Sequence, residues 1–296
     1  MTIPQSQSTQ AAARPMVLFF PQYQAGEVPS NIPAGTPALR DLWRGAEGFA
    51  EVPLQPTDDN NPQIEQGVRF RAILMRQLTD ARKIVSEDRP DFILTTGGDC
   101  GGSFVPIAYM NALYGGKIGV VWVDAHGDIH NPASSPSQNY HGMVLRHLLG
   151  DPAFEIQAEL PLHTGQIAYL GLRDTEAAED EFIAANNIPR YNARDLMAGD
   201  NAPLERIVAH FRAQGITHLH LHVDCDVMDK DVFPHVHVPE PDGLSLERLL
   251  GILQYLRGEM KMASCCLTEY APAVAGDGLD IVRRVYSEGL GLTLPE

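Results

Sequence analysis

The sequence predicts an α/β fold built on a parallel sheet covered by helices on both faces. Two observations predict it. Short apolar runs without polar alternation, such as Ile118–Val123 (IGVVWV), read as strands buried on both sides. Stretches with apolar residues at helical spacing separate those runs along the whole chain, the pattern of strand–helix–strand units. No repeat, low-complexity block or Pro/Gly/Ser-rich linker divides the sequence. Residues 15–296 therefore read as a single catalytic domain, and the polar stretch 1–14 as a disordered tail.

In order along the chain, 17–20 is the first strand; with its neighbours it is too short for the apolar core of a signal peptide. Residues 66–86 place Phe70, Ile73, Leu74, Leu78 and Ile84 at helical spacing and predict a helix. A strand at 91–95 (DFILT) ends in a glycine pair, and the strand at 118–123 follows. Two more strands are expected at 166–170 and 218–223. Helices at 175–186, 203–214 and 246–257 separate the later strands. A last strand fits 263–267, and a helix at 280–287 closes the chain. The Pro-rich stretch 53–62 and the segment 131–140 read as long loops.

Composition excludes several function classes. The 296-residue chain carries 22 Lys and Arg against 38 Asp and Glu, a formal net charge of −16. Nucleic acid and anionic membrane surfaces need clustered positive charge, so neither is an expected partner. A hydrophobic fraction of 44% with 20% charged residues excludes wholesale disorder. No apolar run is long enough to span a bilayer. The four cysteines, Cys100, Cys225, Cys265 and Cys266, have neither zinc-ribbon nor disulfide-framework spacing, which predicts a reducing compartment, the cytoplasm.

In open parallel sheets ligands bind at the carboxyl ends of the strands. Here those ends are acidic. DFILT leads to Gly97-Gly98-Asp99-Cys100, IGVVWV to Asp124-Ala125-His126-Gly127-Asp128, LHLHV to Asp224-Cys225-Asp226, and the strand near Ala263 to Glu269. Burying so many carboxylates is costly unless a cation sits among them. Residues two apart share a strand face, so Asp124 is expected to point with His126, and Asp224 with Asp226. Gly127 is expected to let the chain bend and aim Asp128 inward. Carboxylates with one or two imidazoles favour Mn²⁺ or a similar ion over zinc, and paired carboxylates can bridge two of them.

These residues resemble the arginase/agmatinase (ureohydrolase) family. The matching motifs are GGDC (97–100), VDAHGD (123–128), SPSQNYHGM (135–143), GLRD (171–174), HVDCDVMD (222–229) and TEYAP (268–272), in the family's order. The resemblance implies a three-layer α/β/α fold with a central, mostly parallel sheet of about eight strands. It implies two Mn²⁺ ions per chain, one held by Cys100, Asp124, Asp128 and Asp224, the other by Asp124, His126, Asp224 and Asp226. A hydroxide bridging the ions would attack the guanidinium carbon of a small-molecule guanidino substrate. His141, Glu269 and Asp128 form the implied catalytic set, with His141 as acid/base and Glu269 pairing with the guanidinium, and the products are urea and an amine. The stretch Ser137-Gln138-Asn139-Tyr140-His141-Gly142 is similar to the arginase branch, which favours L-arginine and makes Ser137 and Asn139 head-group contacts. Such proteins commonly form homo-oligomers, trimers or hexamers.

The chain also departs from the family pattern. Cys100 stands where most members have histidine, and a thiolate is a softer ligand that would alter metal preference. His130 and Glu176 replace an asparagine and a shorter acid among the substrate contacts. The 233–243 segment (FPHVHVPEPDG) is unusual and adds His235 and His237, which read as surface residues. These changes touch the substrate side and keep open N-hydroxy-L-arginine, agmatine or another guanidino acid as substrate. Cys100 alone supports a third reading, a metal-depleted, non-catalytic member. His218, His220 and His222 share one strand face, either supporting the ligands or satisfied inside the sheet. Cys225 is expected to point away from the acids, and Cys265 and Cys266 to pack.

Overall fold

In the computed structural model, which describes residues 14–295, every expected strand is present in one sheet. The chain runs β1 (Pro15–Phe19), α1 (Ile32–Trp43), β2 (Phe49–Glu51), β3 (Ile64–Glu65), β4 (Val68–Arg69), α2 (Arg71–Asp88), β5 (Phe92–Thr96), α3 (Phe104–Leu113), β6 (Ile118–Val123), α4 (Val144–Leu148) and β7 (Ile167–Gly171). It continues through α5 (Ala177–Ala185), β8 (Arg190–Asn192), α6 (Ala193–Met197), α7 (Ala202–Ala213), β9 (His218–Asp224), α8 (Leu246–Glu259), β10 (Lys261–Thr268) and α9 (Leu279–Arg284). Of the expected tail only Arg14 is described, its backbone N–H donating to Asp91 Oδ1 at 2.9 Å; residues 1–13 lie outside the described residues.

The sheet order is β2-β1-β5-β10-β9-β6-β7-β8, and every pairing in it is parallel. Strand β6 explains why its sequence lacks alternation. Val121 and Val123 enter one apolar cluster with Leu204, Ile207 and Phe211 of α7 and Leu249 and Leu253 of α8. Ile118, Val120 and Trp122 enter the other with Leu74 and Leu78 of α2 and Phe104 and Ile107 of α3. Both faces are covered, so both must be apolar. The result is a three-layer α/β/α molecule. Among the described residues no helix is long and apolar enough to cross a membrane.

Helix α8 shows the local logic. Ser245 Oγ accepts from the Arg248 N–H at the N-terminus, Glu247 sits in the first turn and Arg257 in the last. Leu249, Leu250, Leu253 and Leu256 form the buried stripe. The first long helix begins later than its periodicity suggested. Residues 64–69 form the β3–β4 hairpin, which turns at Gln66 and Gly67, both with positive φ. Helix α3 escaped the sequence reading because FVPIAYMNAL is apolar on nearly every side and carries no helical period. Helix α1 buries Ile32, Leu39, Leu42 and Trp43 at helical spacing, but Pro33 and Pro37 mask it in sequence, and the edge strands β2 and β8, three residues each, are too short to show a period. The last helix ends at Arg284 and passes into a single π-turn, Val285–Gly289.

His147 on α4 yields a stability prediction. It is wholly buried, stacked 3.7 Å from Phe104 and 4.2 Å from Phe154. Tyr140 Oη lies 2.6 Å from Nδ1, and Nε2 meets the Ile156 carbonyl. Burial pushes its pKa down to about 3. In the unfolded chain histidine titrates near pH ~6.5. Between those values the unfolded state binds more protons, so stability falls as pH drops through that window. His147→Phe keeps the stack but strands the Tyr140 hydroxyl, costing about 1–3 kcal/mol near pH 7. Urea unfolding at pH 7 and at pH 5 is expected to show this loss together with a shallower pH dependence. An unchanged pH dependence would refute the buried neutral imidazole.

Candidate functional site

The carboxyl ends of β5, β10, β9 and β6 lie side by side at the centre of the sheet. Each is followed by one acidic segment. After β5 the chain turns at Gly97 and Gly98, both with positive φ. A Cβ on Gly98 would lie 2.4 Å from the carbonyl oxygens of Phe20 and Gln22, so only glycine allows this approach. Asp99 then ties down the loop after β1, accepting from Gln22 Nε2 at 2.9 Å and from the backbone N–H groups of Ala25 at 2.9 Å and Gly26 at 3.2 Å. That anchor leaves Cys100, buried, facing the next strand ends.

The two Asp-x pairs meet for a reason other than strand alternation. Asp124 Oδ1 accepts from the His126 N–H at 2.7 Å, and Asp224 Oδ1 accepts from the Asp226 N–H at 2.8 Å. Each first aspartate closes an Asx turn that carries its partner back over the strand end. Asp226 Oδ1 in turn accepts from the Ala125 N–H at 3.2 Å, joining the two segments. The bend before Asp128 also differs from expectation. Asp128 itself takes the left-handed conformation, at φ 49°. Gly127 is needed instead for close approach, because a Cβ there would lie 2.7 Å from Glu179 Oε1.

Asp124, Asp128, Asp224, Asp226 and Glu269 are each 6% exposed or less, and all line a cavity of about 210 Å³. Cys100, His126, His130, Ser137, Asn139, His141 and Glu176 line it too, and among the described residues no Lys or Arg does. Among the described residues four groups of possible ligand atoms lie within 4.8 Å of one another, and two of them contain Asp124: Cys100, Asp124, His222 and Asp224, and Asp124, His126 and Asp226. Asp124 belongs to both. His126 Nδ1 lies 3.1 Å from Asp226 Oδ2 and 3.5 Å from Asp124 Oδ1. Cys100 Sγ lies 3.0 Å from Asp224 Oδ2. Asp128 stands outside both groups, and Asp224 outside the second.

The donor set fits divalent cations. Asp124 Oδ2, Asp128 Oδ2 and His222 Nε2 are buried without a hydrogen-bond partner among the described residues, which native interiors seldom tolerate. Burial and then the neighbouring carboxylates push Asp128 and Asp224 well above the usual carboxylate range. Burial acts the same way on Asp124, but the imidazoles of His126 and His222 beside it hold it low. Positive charge placed here relieves both the repulsion and the unpaired oxygens.

Across the cavity His141 Nδ1 lies 3.6 Å from Glu269 Oε1. Burial opposes its charge, yet Glu269 and the acids around it raise its pKa to about 9. Glu269 has φ 61°, and its N–H donates to the Gly98 carbonyl at 2.9 Å while Oε1 accepts from the Cys100 N–H at 3.3 Å. This links Glu269 to the loop carrying Cys100.

Elsewhere on the cavity wall Ser137 Oγ accepts from the Asn139 N–H at 3.3 Å, and Asn139 Oδ1 is buried with no hydrogen-bond partner among the described residues. His130 Nδ1 meets Ser134 Oγ at 3.1 Å, leaving Nε2 3.5 Å from Glu176 Oε2 and 3.8 Å from Glu179 Oε2. Glu27, Asp174, Glu179 and Val238 also line the cavity, and none was singled out from sequence. Glu179 reads in sequence as an ordinary first-turn helix acid; folded, it is buried and accepts from the Ile129 N–H at 3.2 Å. His235 and His237 do not line the cavity, although both are half-buried.

The remaining cysteines divide. Cys225 and Cys265 sit in an apolar cluster. Cys266 does more than pack. Its Sγ lies 3.0 Å from His222 Nδ1 and 3.6 Å from His220 Nε2; burial raises its pKa, but the two imidazoles lower it to about 5. His220 is satisfied inside the sheet by Ser264 Oγ at 2.7 Å, whereas His222 reaches the cavity acids.

The sequence model of the arginase family matches residues 32–283. An arginase of Plasmodium berghei is 28% identical over 243 residues, 76% of this chain and 68% of that protein. An arginase of Plasmodium falciparum is 31% identical over 219 residues, 68% of this chain and 52% of that protein. The solved arginase of Bacillus caldovelox has the same fold, with a TM-score of 0.82 at 22% identity, covering 95% of this chain and all of that one.

Proposed function

Because the chain belongs to the arginase family, hydrolases acting on guanidino C–N bonds, we propose that residues 15–296 form one catalytic domain that hydrolyses L-arginine to urea and L-ornithine. The observation that carries this reading is the convergence of six buried carboxylates and three imidazoles on one cavity whose lining, among the described residues, contains no Lys or Arg. The proposed cofactor is a pair of divalent cations, Mn²⁺ first among them, held by Asp124, His126, Asp226, Asp224 and Cys100, with Asp128 beside them. Bound there, the cations supply Lewis acidity that makes water nucleophilic at neutral pH.

The chain's own residues do the rest. Glu269 accepts hydrogen bonds from the planar guanidinium, a geometry that suits a carboxylate. One water adds to the guanidinium carbon, the bond to the chain nitrogen breaks, and His141 delivers a proton to the leaving amine. Ser137 and Asn139 offer hydrogen bonds to the amino-acid head group, and the unpaired Asn139 Oδ1 suits an ammonium. The gene product is expected in the cytoplasm as a homo-oligomer, as its cysteine usage and family suggest.

One observation favours a second reading. The rim is acidic: the exposed Glu27, Asp174 and Glu176 line the cavity, and among the described residues its lining holds no Lys or Arg. Such a rim suits a cationic tail better than a carboxylate. Agmatine, which lacks the carboxylate, is therefore the first alternative, ahead of N-hydroxy-L-arginine and other guanidino acids. The test is urea release from Mn²⁺-loaded protein with each substrate. Arginine is expected to exceed agmatine in kcat/KM by at least about tenfold, the ratio for ~1.4 kcal/mol of head-group recognition. The reverse order would transfer the assignment to agmatine, and release from none of them would defeat both.

A further inference from the structure

His222 on β9 is wholly buried, and its contacts resemble those of a ligand held ready. The ring lies flat on Trp122, with centroids 3.4 Å apart and planes within 1°. Its Nδ1 is held from behind by Ser103 Oγ and Cys266 Sγ, each at 3.0 Å. Its Nε2 faces the other way, 3.6 Å from Asp124 Oδ2. Neither of those two atoms has a hydrogen-bond partner among the described residues. Metal-bound histidines are oriented in this manner, one ring nitrogen tied to a neighbouring polar group and the other free to coordinate. Two donors about 2.0–2.2 Å from one tetrahedral ion stand roughly 3.3–3.6 Å apart, so the gap has the width of a shared cation. Cys100 Sγ and Asp224 close the same group, all within 4.8 Å.

We propose that His222 is a direct ligand of the cation at Cys100, so that this position is a thiolate–imidazole–dicarboxylate site completed by Asp124 and Asp224. Such a mixed sulfur and nitrogen set takes Zn²⁺, Co²⁺ or Fe²⁺ in preference to Mn²⁺. The inference rests on the two-cation reading of the cavity and changes which residues hold the first cation and which ion they prefer. An imidazolium merely ion-paired with Asp124 is the competing account, and it needs no coordination bond.

The test uses the full chain under anaerobic conditions. Titration of the metal-stripped protein with Co²⁺ is expected to give two ions per chain and a near-ultraviolet thiolate-to-cobalt absorption, which Cys100→Ser abolishes. His222→Phe keeps a ring on Trp122 but removes both nitrogens. It is expected to weaken one of the two ions about 100-fold or more, since loss of a supporting contact alone costs 10–100-fold, and to shift the visible cobalt spectrum. Two ions of unchanged affinity and spectrum in His222→Phe would overturn the proposal. Should that variant not fold, X-ray absorption of the unaltered zinc-loaded chain decides. Two imidazoles and one sulfur per ion pair are expected; one imidazole overturns the inference and leaves the two-cation centre standing. A chain that takes up no ion overturns both.

Discussion

Asp124→Asn is expected to lower urea release by about a thousandfold or more, because Lewis-acid assistance is worth several kcal/mol and each ~1.4 kcal/mol is tenfold in rate. Asparagine keeps the Oδ1 that accepts from the His126 N–H, so the turn survives. It replaces Oδ2, the unpaired oxygen of the residue that belongs to both ligand groups, with an amide nitrogen that cannot coordinate as an anion. Thermal stability of the metal-free protein is expected to fall, since the charge removed is the one that the His126 and His222 imidazoles hold ionised, and a buried pair that loses one partner leaves the other uncompensated. Metal content by elemental analysis is expected to fall with activity. Cys265→Ala is the matched control, because Cys265 lies in an apolar cluster away from the cavity; its turnover is expected to stay within about twofold despite some loss of stability. Full activity in Asp124→Asn would sink the two-cation mechanism.

His141→Asn is expected to cost about 10²–10⁴ in kcat, the range for loss of a positioned proton donor. The short amide cannot carry the proton to the leaving amine. The backbone N–H of residue 141 still donates to the Ala25 carbonyl at 3.0 Å, so the loop should remain in place. Metal content is expected to remain at the wild-type level, and KM to change far less than kcat. Loss of metal along with activity would instead make His141 a structural support, and a fall confined to KM would make it a substrate contact.

Much of the site was legible because its parts are local. A buried strand followed at once by acids is a pattern within eight or ten residues, as at Ile118–Val123 and Asp124. The loop 135–143 was legible through family resemblance, and the side chains of Ser137, Asn139 and His141 line the cavity. Glu179 was not legible, because an acid in the first turn of a helix ordinarily faces water and favours the helix dipole. The strand pleat was the expected reason for Asp124 to face with His126 and Asp224 with Asp226; in the structure Asx turns at Asp124 and Asp224 carry His126 and Asp226 back, and Asp226 joins the group of Asp124 and His126 while Asp224 joins that of Cys100. Cys266 and His222 were ambiguous because each acquires its meaning from the strand beside it. The register sets Trp122 opposite His222 and His222 opposite Cys266, across three strands far apart in sequence.

The sequence by itself determined the fold class and the chemistry waiting at each strand end, since apolar runs, glycine turns and adjacent acids are properties of short segments. Only the tertiary structure decided that β10 and β9 enter between β5 and β6. That insertion brings Cys100, Asp124, Asp224 and Glu269 to one cavity and aims His222 among them. Strand order depends on pairings between distant segments and on how helices cover both faces of the sheet, and neither leaves a mark in any local stretch of sequence.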